Sequence, residues 1–278
     1  MFRHELGKAE KEFEKLIGKF ELMENFGDNF DGLHKNNKES VFEVQFSGNM
    51  ESDQAEYNVI SLHLAPFNAF DGGYEEAYPS DWLFEVMKTD KTTEGKYSDR
   101  LLKTIIFDDP DCHTAYYADG YSFKDYHSAG EIFWNKFVTW DPSLSSDWYI
   151  SAFNIPIVRY ADVLLLYAEC LNDRGATKDA IGYINQVRDR VHVPALPESM
   201  SKEAVLKHLQ DVERPCELAL EGARWYDLVR WNIVEKSLKE HGKPFMENYM
   251  DSKHKLLPIP HSEFLLNPDW EQNPNYTK

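Results

Sequence analysis

The chain has 278 residues, 42% of them hydrophobic, and a formal net charge of −18 from 48 acidic and 30 basic side chains. This acidic excess argues against binding to a nucleic-acid backbone or to anionic lipid, because both depend on Lys and Arg. No apolar run approaches the roughly 20 residues that a membrane-spanning helix needs. A neutral ligand or a neutral-to-basic protein partner fits the charge, as does a role of the charge in solubility alone.

The first elements are a helix and a strand. Residues 10–26 place apolar side chains at helical spacing with Lys and Glu opposite, which predicts an amphipathic helix. Apolar and polar side chains then alternate within residues 39–47, which predicts a short strand.

Residues 48–150 differ in composition from the flanking segments. Gly72-Gly73, Asp109-Pro110 and Asp141-Pro142 are breakers that predict a loop-rich region. The same region is rich in Tyr and Trp. We expect short strands and irregular structure here.

From residue 154 the apolar pattern becomes helical. One predicted helix follows the apolar face of residues 154–171, and a second covers 180–191 and stops before Pro194. A loop of about five residues between them predicts an antiparallel helical hairpin. The pair resembles a single tetratricopeptide-like unit, without a second copy at a period near 34 residues. Two further helices are predicted over 201–209 and 213–231, followed by an extended tail rich in Pro.

Five phrases carry a family resemblance. In chain order they are NIPIVRYADVLLLYAEC (154–170), INQVRDRV (184–191), ERPCELALEGARWYDLVRW (213–231), LLPIP (256–260) and NPDWEQNPNY (267–276). Together they resemble the C-terminal half of the SusD/RagB family. Asp99-Arg100 and Lys136 match two shorter phrases of that family, and the helix followed by ESVFEVQF matches the end of its N-terminal helical half.

The resemblance implies a fold and a role. It implies a mainly α, SusD-like fold with tetratricopeptide-like helical hairpins and a loop-rich region that contains short β-strands. Members are surface-exposed outer-membrane lipoproteins that capture nutrients, mostly glycans, for a partner transporter. We therefore expect non-catalytic binding of a glycan or another small nutrient, and docking on a TonB-dependent, SusC-like transporter of the outer membrane.

The resemblance also implies a division of the chain. Residues 1–278 are predicted to be one family domain: 1–47 would end the N-terminal helical half, 48–150 would bind ligand, and 154–278 would form the C-terminal core. The start of the chain lacks the apolar stretch of a signal peptide and a lipid-acceptor Cys. We therefore expect the sequence to be a C-terminal piece that lacks the N-terminal part.

A charged cluster on the predicted fourth helix has two interpretations. Glu221 and Arg224 are three residues apart, as are Asp227 and Arg230, so each pair can meet on the helix surface. Together with Arg188 and Arg190 they form either a catalytic cleft or a structural ion-pair network, and we favour the network. Side chains on the apolar side of this helix, and therefore expected in the core, include Trp225 and Leu228.

No catalytic, cofactor or metal motif is present in the sequence. HExxH, GxSxG, phosphate-loop and dinucleotide patterns are absent. Asp108, Asp109 and Asp111 lack the Gly and the distal Glu of a calcium loop. Three cysteines without CxxC spacing imply neither a disulfide framework nor a zinc site, and Cys170 and Cys216 fall in apolar helical patterns that predict buried thiols. We therefore predict no enzyme and no cofactor.

The aromatic side chains of the loop-rich region are the candidate ligand-binding residues. A sugar ring has an apolar C–H face and a rim of hydroxyls, so its binding site needs flat aromatic rings beside polar groups. Five aromatics cluster in loops with Gly and Asp and are predicted stacking platforms: Tyr74, Tyr78, Trp82, Tyr117 and Tyr121. Packing in a core is the competing interpretation of each. At the level of the whole protein, a helical-repeat scaffold for protein partners and a glycoside hydrolase are the alternatives.

Overall fold

The computed structural model of the chain describes residues 1–47, 57–67, 73–110, 112, 122–138, 151–241, 246 and 248–277. These residues are mainly helical with a few short strands, as predicted. The described chain divides into two compact units, Met1 with Glu5–Glu221 and Phe2–His4 with Gly222–Lys278. The three-part division of the domain stays a prediction.

The N-terminal helix is shorter than the apolar pattern suggests. Helix α1 is Leu6–Glu14, and the chain then turns at Gly18, whose φ of +76° is left-handed. The apolar positions beyond the helix still pack against the main helical core: Leu16, Ile17 and Phe20. A 3₁₀ turn, Phe26–Asn29, leads to strand β1, Ser40–Val44.

The predicted helix beginning at residue 154 is wrong in its first six residues. Ile155–Arg159 forms a strand that pairs antiparallel with β1, with Ser40 opposite Arg159. Pro156 lacks the N–H that a helix interior needs and is compatible with an extended edge. It is strand β4 in chain order, after β2 (Ile105–Ile106) and β3 (Phe133–Trp134).

The predicted helical hairpin is confirmed. Helix α6 is Tyr160–Asp173 and helix α7 is Thr177–Arg190, and the two pack against each other across a connection that contains Gly175 at φ +91°. The core of this part is aliphatic and aromatic: Tyr160, Ala161, Val163, Leu164, Leu165, Tyr167, Ala168, Leu171, Ala180, Ile181, Ile184, Val187, Val205 and Leu209. Helix α8, Lys202–His208, covers its end, and the Ser201 hydroxyl caps that helix by accepting from the N–H of Ala204 at 3.2 Å.

The predicted helix over residues 213–231 is broken. A π turn, Leu209–Glu213, leads into helix α9, Arg214–Glu217, where Pro215 cannot donate a helical hydrogen bond. Leu220 (φ +64°) and Gly222 (φ +77°) are left-handed, which separates α9 from the next helix, α10 (Ala223–Arg230).

The loop-rich part contains short helices around its own core. They are α2 (Ile60–Leu64), α3 (Asp81–Thr89), α4 (Asp99–Leu102) and α5 (Phe123–Tyr126), and strands β2 (Ile105–Ile106) and β3 (Phe133–Trp134) pair antiparallel. The core consists mainly of aliphatic and aromatic side chains, among them Phe26, Met87, Leu101, Phe107, Ile132 and Phe137. Cys112, Cys170 and Cys216 are all buried, which confirms the prediction for Cys170 and Cys216.

The second unit contains helices α10 (Ala223–Arg230), α11 (Val234–Glu240), α12 (Asp251–His254) and α13 (His261–Leu266). Leu228 is buried in its small core, as expected. Trp225 is 41% exposed, so its predicted burial is wrong; its ring meets that of Tyr249 edge-on at 6.4 Å. In the described part of the chain, no helix combines the length and apolar character needed to cross a bilayer.

Candidate functional site

The backbone of residues 73–76 is fixed against the end of helix α2. The N–H groups of Tyr74 and Glu76 donate to the carbonyls of Leu62 and His63, both at 2.9 Å. The last carbonyls of a helix have no partner within the helix, so they are natural acceptors for a following segment. These bonds hold Tyr74, Glu75 and Glu76 in a defined conformation although the segment is neither helix nor strand.

Gly73 permits this close approach. A Cβ at position 73 would lie 1.8 Å from the carbonyl oxygen of Ala65, so a side chain there would overlap the backbone of the preceding turn. The glycine that marks this region as a loop in the sequence is therefore a requirement of the contact with α2.

Glu75 adopts a left-handed backbone conformation, with φ of +50°. Its carboxylate accepts a hydrogen bond from the N–H of Phe67 and another from the Tyr78 hydroxyl, the latter at 2.9 Å. A left-handed conformation costs on the order of 1 kcal/mol or more for a residue other than Gly, and it persists where surrounding contacts define it. Here the backbone bonds of residues 73–76 to the end of α2 supply such contacts, together with the two hydrogen bonds of the Glu75 carboxylate.

Tyr78 and Tyr74 present their rings at the surface. Tyr78 is 55% exposed, and its ring packs at 5.9 Å from that of Phe133. The hydrogen bond to Glu75 raises the pKa of the Tyr78 phenol, so this hydroxyl stays protonated near neutral pH. Tyr74 is 47% exposed, and its ring meets that of His63 edge-on at 5.7 Å.

A pocket of about 500 Å³ opens beside Tyr78. Its lining is mostly polar: Phe67, Glu75, Lys124, Asp125, Tyr126, His127, Ser128, Glu131 and Phe133. Glu75 and Phe133 both line the pocket and both contact the Tyr78 side chain, so this tyrosine lies at the pocket's edge. The arrangement combines an exposed ring with a polar concavity.

Two acidic side chains of the pocket are positioned by nearby backbone groups. Asp125 closes a capping box at the start of α5, where its carboxylate accepts from the N–H and the hydroxyl of Ser122 at 2.6 and 2.8 Å. These bonds lower the pKa of Asp125. Glu131 accepts from the N–H of Ser128 at 2.8 Å.

His127 lines the pocket and packs against two aromatic rings, of which Phe133 also lines it. Its ring lies 4.9 Å from Phe123 and 4.5 Å from Phe133. Burial lowers the pKa of His127, which favours the neutral imidazole at neutral pH. The described lining residues therefore include three carboxylates, one ammonium group and an uncharged imidazole.

The structure separates the predicted platform residues. Tyr74 and Tyr78 are exposed and lie on one segment. Trp82, on α3, is partly buried and packs against the core of the loop-rich part. Tyr117 and Tyr121 lie outside the described residues. The wall residues Glu131 and Phe133 had no signal in the sequence, because only folding brings residues 123–133 beside residues 73–78.

The charged cluster of the sequence is a buried network. Arg159 contacts three carboxylates: Glu39 at 2.5 Å, Glu217 at 3.0 Å and Glu221 at 2.7 Å. Arg159, Glu39 and Glu217 are no more than 1% exposed. Glu221 bonds with Arg159 and Lys136 across the fold, whereas Asp227 and Arg230 pair as predicted, with nitrogen to oxygen distances of 2.8 and 2.9 Å.

Both short family phrases contribute cations to this network. Arg100 lies 2.7 Å from Glu213, and Lys136 lies 2.5 Å from Glu221. The predicted participants Arg188 and Arg190 contact Glu213 and Glu217. Desolvation would raise the pKa of Glu217, but Arg190, Arg159 and Arg100 outweigh it and lower that pKa to about 2. Burial and pairing favour the structural interpretation over a catalytic cleft.

One group of described side chains has the spacing of metal ligands. Oxygen and nitrogen atoms of Asp28, Asp31 and His34 lie within 4.8 Å of one another. His34 already bonds to Asp31 at 2.7 Å, which raises its pKa. Local hydrogen bonding accounts for this group without a metal. Of the three aspartates that lack the pattern of a calcium loop, Asp108 and Asp109 are described and Asp111 lies outside the described residues.

Comparison with known proteins identifies the family. A sequence profile of the SusD family matches residues 38–276, so the chain belongs to this family. SusD-like protein P2 of Formosa agariphila is 32% identical over 134 residues, which are 45% of this chain and 26% of that protein. A SusD-like protein of Bacteroides ovatus is 28% identical over 76% of this chain and 37% of its own length.

Solved structures show the same fold. A SusD superfamily protein from Bacteroides vulgatus superposes with a TM-score of 0.83 at 28% identity, covering 98% of this chain and 59% of that one. Surface glycan-binding protein A from Bacteroides thetaiotaomicron, in complex with laminarihexaose, gives 0.72 at 22% identity over 98% of this chain and 61% of that chain. The chain thus spans about three fifths of these structures and less than two fifths of the curated relatives.

Proposed function

We propose that this chain binds a glycan, without catalysis, at the pocket bordered by Tyr78. The observation that carries the proposal is the half-exposed Tyr78 at the edge of an open and polar pocket of about 500 Å³, with the half-exposed Tyr74 on the same segment. Trp82 is assigned to the scaffold, because it packs against the core. Tyr117 and Tyr121 stay in the proposal as predicted platforms.

The chemistry of the site matches a sugar. An exposed ring offers a flat face for the C–H side of a pyranose, and the carboxylates of Glu75, Asp125 and Glu131 accept hydrogen bonds from hydroxyls. The hydrogen bond from Tyr78 to Glu75 limits rotation of the ring, so less conformational entropy is lost when ligand binds.

Family membership supports the wider role. The protein acts at the surface of the outer membrane and passes its glycan to a TonB-dependent, SusC-like transporter, as the family resemblance implies. Two proteins with this fold are described as a laminarin-binding SusD-like protein and as a glycan-binding protein in complex with laminarihexaose.

A non-catalytic role fits the placement of the carboxylates. The carboxylates of the network are buried and paired with Arg and Lys, and those of the pocket are bonded to local backbone and hydroxyl groups. A glycoside hydrolase needs two carboxyl groups held on opposite sides of a glycosidic bond. A scaffold for protein partners would instead use the groove between helices.

The test is a glycan array followed by titration calorimetry on the purified chain. We expect binding of at least one polysaccharide and its loss on replacement of Tyr74 and Tyr78 together by Ala. Tyr226→Ala is the matched control, because Tyr226 is 58% exposed and lies in the other unit. Glycan turnover would establish a hydrolase, and peptide binding without glycan binding would establish a scaffold.

A further inference from the structure

We propose that the pocket selects glycans by charge: it accepts uncharged sugars and rejects those that carry carboxylate or sulfate groups. The inference rests on the proposed glycan-binding function and adds the chemical class of the ligand. It follows from which charged side chains line the pocket and from what each of them contacts.

Three carboxylates line the pocket, and local groups hold each of them. Glu75 accepts from the Phe67 N–H and the Tyr78 hydroxyl, Asp125 accepts from Ser122, and Glu131 accepts from the Ser128 N–H. Among the described residues, no ion pair joins Glu75, Asp125 or Glu131 to a Lys or Arg. Within the described part of the chain, no directly paired Lys or Arg therefore neutralises their negative charge.

The described lining residues contribute little positive charge to the pocket. Lys124 is the one Lys or Arg among the described lining residues, and its ammonium group lies 3.4 Å from the carboxylate of Asp108. His127 is packed between aromatic rings, and burial lowers its pKa, so it adds no charge at neutral pH. The pocket is consequently acidic around a neutral aromatic wall.

An anionic sugar would meet repulsion in this pocket. A uronate or a sulfate ester bound in the pocket would lie near Glu75, Asp125 and Glu131. Repulsion between like charges that lie close together destabilises a complex. The net charge of −18 on the chain has the same sign. Salt screens interactions between exposed charges, so the discrimination should weaken as ionic strength rises.

A neutral sugar would gain from the same groups. Its hydroxyls donate to carboxylates, and hydrogen bonds to an ionised acceptor are stronger than those between neutral groups. Each carboxylate retains lone pairs beyond the one or two bonds that it accepts from the protein. The arrangement therefore favours hydroxyl-rich ligands and disfavours anionic ones.

The test uses pairs of polysaccharides that differ only in charge. The probes are laminarin against laminarin oxidised to the carboxylate at C6, methyl-esterified against de-esterified homogalacturonan, and dextran against dextran sulfate. In every pair that binds, we expect the neutral member to bind at least about tenfold more tightly in low salt, and the ratio to fall in roughly 0.5 M NaCl.

A matched pair of variants assigns the effect to the pocket. The pocket variant carries Glu75→Gln, Asp125→Asn and Glu131→Gln, and the control carries Glu→Gln at three exposed positions that do not line the pocket: Glu12, Glu198 and Glu203. Both remove three negative charges. We expect the neutral-to-anionic ratio to fall about tenfold in the pocket variant and to stay within about twofold in the control.

The outcomes are distinguishable. If anionic members bind as tightly as their neutral partners, or more tightly, the charge inference is overturned while glycan binding stands. An equal fall of the neutral-to-anionic affinity ratio in both variants would also overturn the charge inference. The charge of the whole surface, rather than that of the pocket, would then distinguish neutral from anionic glycans. Binding of no polysaccharide at all, neither a member of these pairs nor any on the glycan array, would overturn the proposed function and this inference together.

Discussion

Two regions of the first unit use similar side chains in opposite ways. The buried network joins Glu39, Glu217 and Glu221 to Arg159, with its members almost fully removed from solvent. The pocket has Glu75, Asp125 and Glu131 near aromatic rings, with Asp125 and Glu131 exposed. Both regions therefore combine carboxylates with aromatics, since Phe26 and Phe30 lie within 6 Å of the Arg159 guanidinium.

The difference lies in what compensates each carboxylate. In the network, guanidinium and ammonium groups neutralise the acids and leave little for a ligand. In the pocket, backbone N–H groups and hydroxyls orient the acids without removing their charge. Burial and the kind of partner, rather than the residue type, thus separate a group that holds the fold from one that meets a ligand.

The largest effect should come from breaking the network at its centre. Arg159→Met would leave Glu39, Glu217 and Glu221 without their shared cation, and removing one partner of a buried ion pair costs about 3–5 kcal/mol. We expect urea unfolding to show a loss of that size. Lys15→Met, which breaks an exposed pair with Glu12, is the control and should cost less than about 1 kcal/mol.

If Arg159→Met unfolded at the same urea concentration as the unmodified chain, the network would not hold the helices together. The claim that the buried network, in contrast to the pocket, stabilises the fold would then be wrong.

The second prediction concerns acid. The arginines that surround buried Glu217 lower its pKa to about 2, whereas an unfolded Glu has a pKa of about 4.3. Between these values the unfolded chain binds a proton that the folded chain does not. The stabilisation is therefore present above about pH 5 and is lost as the pH falls toward 2, by on the order of 3 kcal/mol.

Urea titrations at a series of pH values measure this loss. Glu217→Gln should be less stable than the unmodified chain at pH 7 and should lose less stability on acidification. Parallel pH profiles for the two proteins would refute the assignment to Glu217.

The third prediction contrasts two aromatics that the sequence places in one group. Tyr78→Ala should weaken glycan binding by about 1–3 kcal/mol and leave the melting temperature nearly unchanged, because the ring is half exposed. Trp82→Ala should lower the free energy of unfolding by about 3 kcal/mol, since this side chain packs against the core. Calorimetric titration and thermal melts of both variants separate the two effects. A reversal, with Tyr78→Ala unfolding the protein, would make Tyr78 a core residue.

Local periodicity was sufficient for the long helices of the fold. Helices α6 and α7 are long and continuously amphipathic, and both were predicted with their short connection. Strand β4 was not, because its pairing with β1 joins residues more than 100 positions apart. The break after α9 was also missed: it depends on a left-handed Leu220, whose residue type does not indicate that conformation, although Gly222, a residue type common at helix ends, was a local signal for a break.

The candidate site shows the same limit. Gly and Asp around Tyr74 and Tyr78 indicated exposed rings, and both are exposed. The pocket could not be predicted, because Glu131 and Phe133 reach it only through the tertiary fold. In the network, Arg188 and Arg190 were expected to join Glu221, but no local pattern indicated that Arg159 and Glu39 complete the cluster.

The smallest expected effect tests whether the pocket stores strain. Glu75 combines φ of +50° with hydrogen bonds to Phe67 and Tyr78. Glu75→Ala and Glu75→Gly both remove the carboxylate, so both should weaken glycan binding by about 1 kcal/mol through the freed Tyr78 ring. Only glycine adopts the left-handed conformation without cost. The free energy of unfolding should therefore be about 1 kcal/mol larger for Glu75→Gly than for Glu75→Ala. Urea unfolding gives the stability difference and calorimetry gives the affinity. Equal stabilities would show that the backbone relaxes once the carboxylate is gone, and the left-handed conformation would then be imposed by the hydrogen bonds of Glu75 rather than by the packing of residues 73–76 on α2.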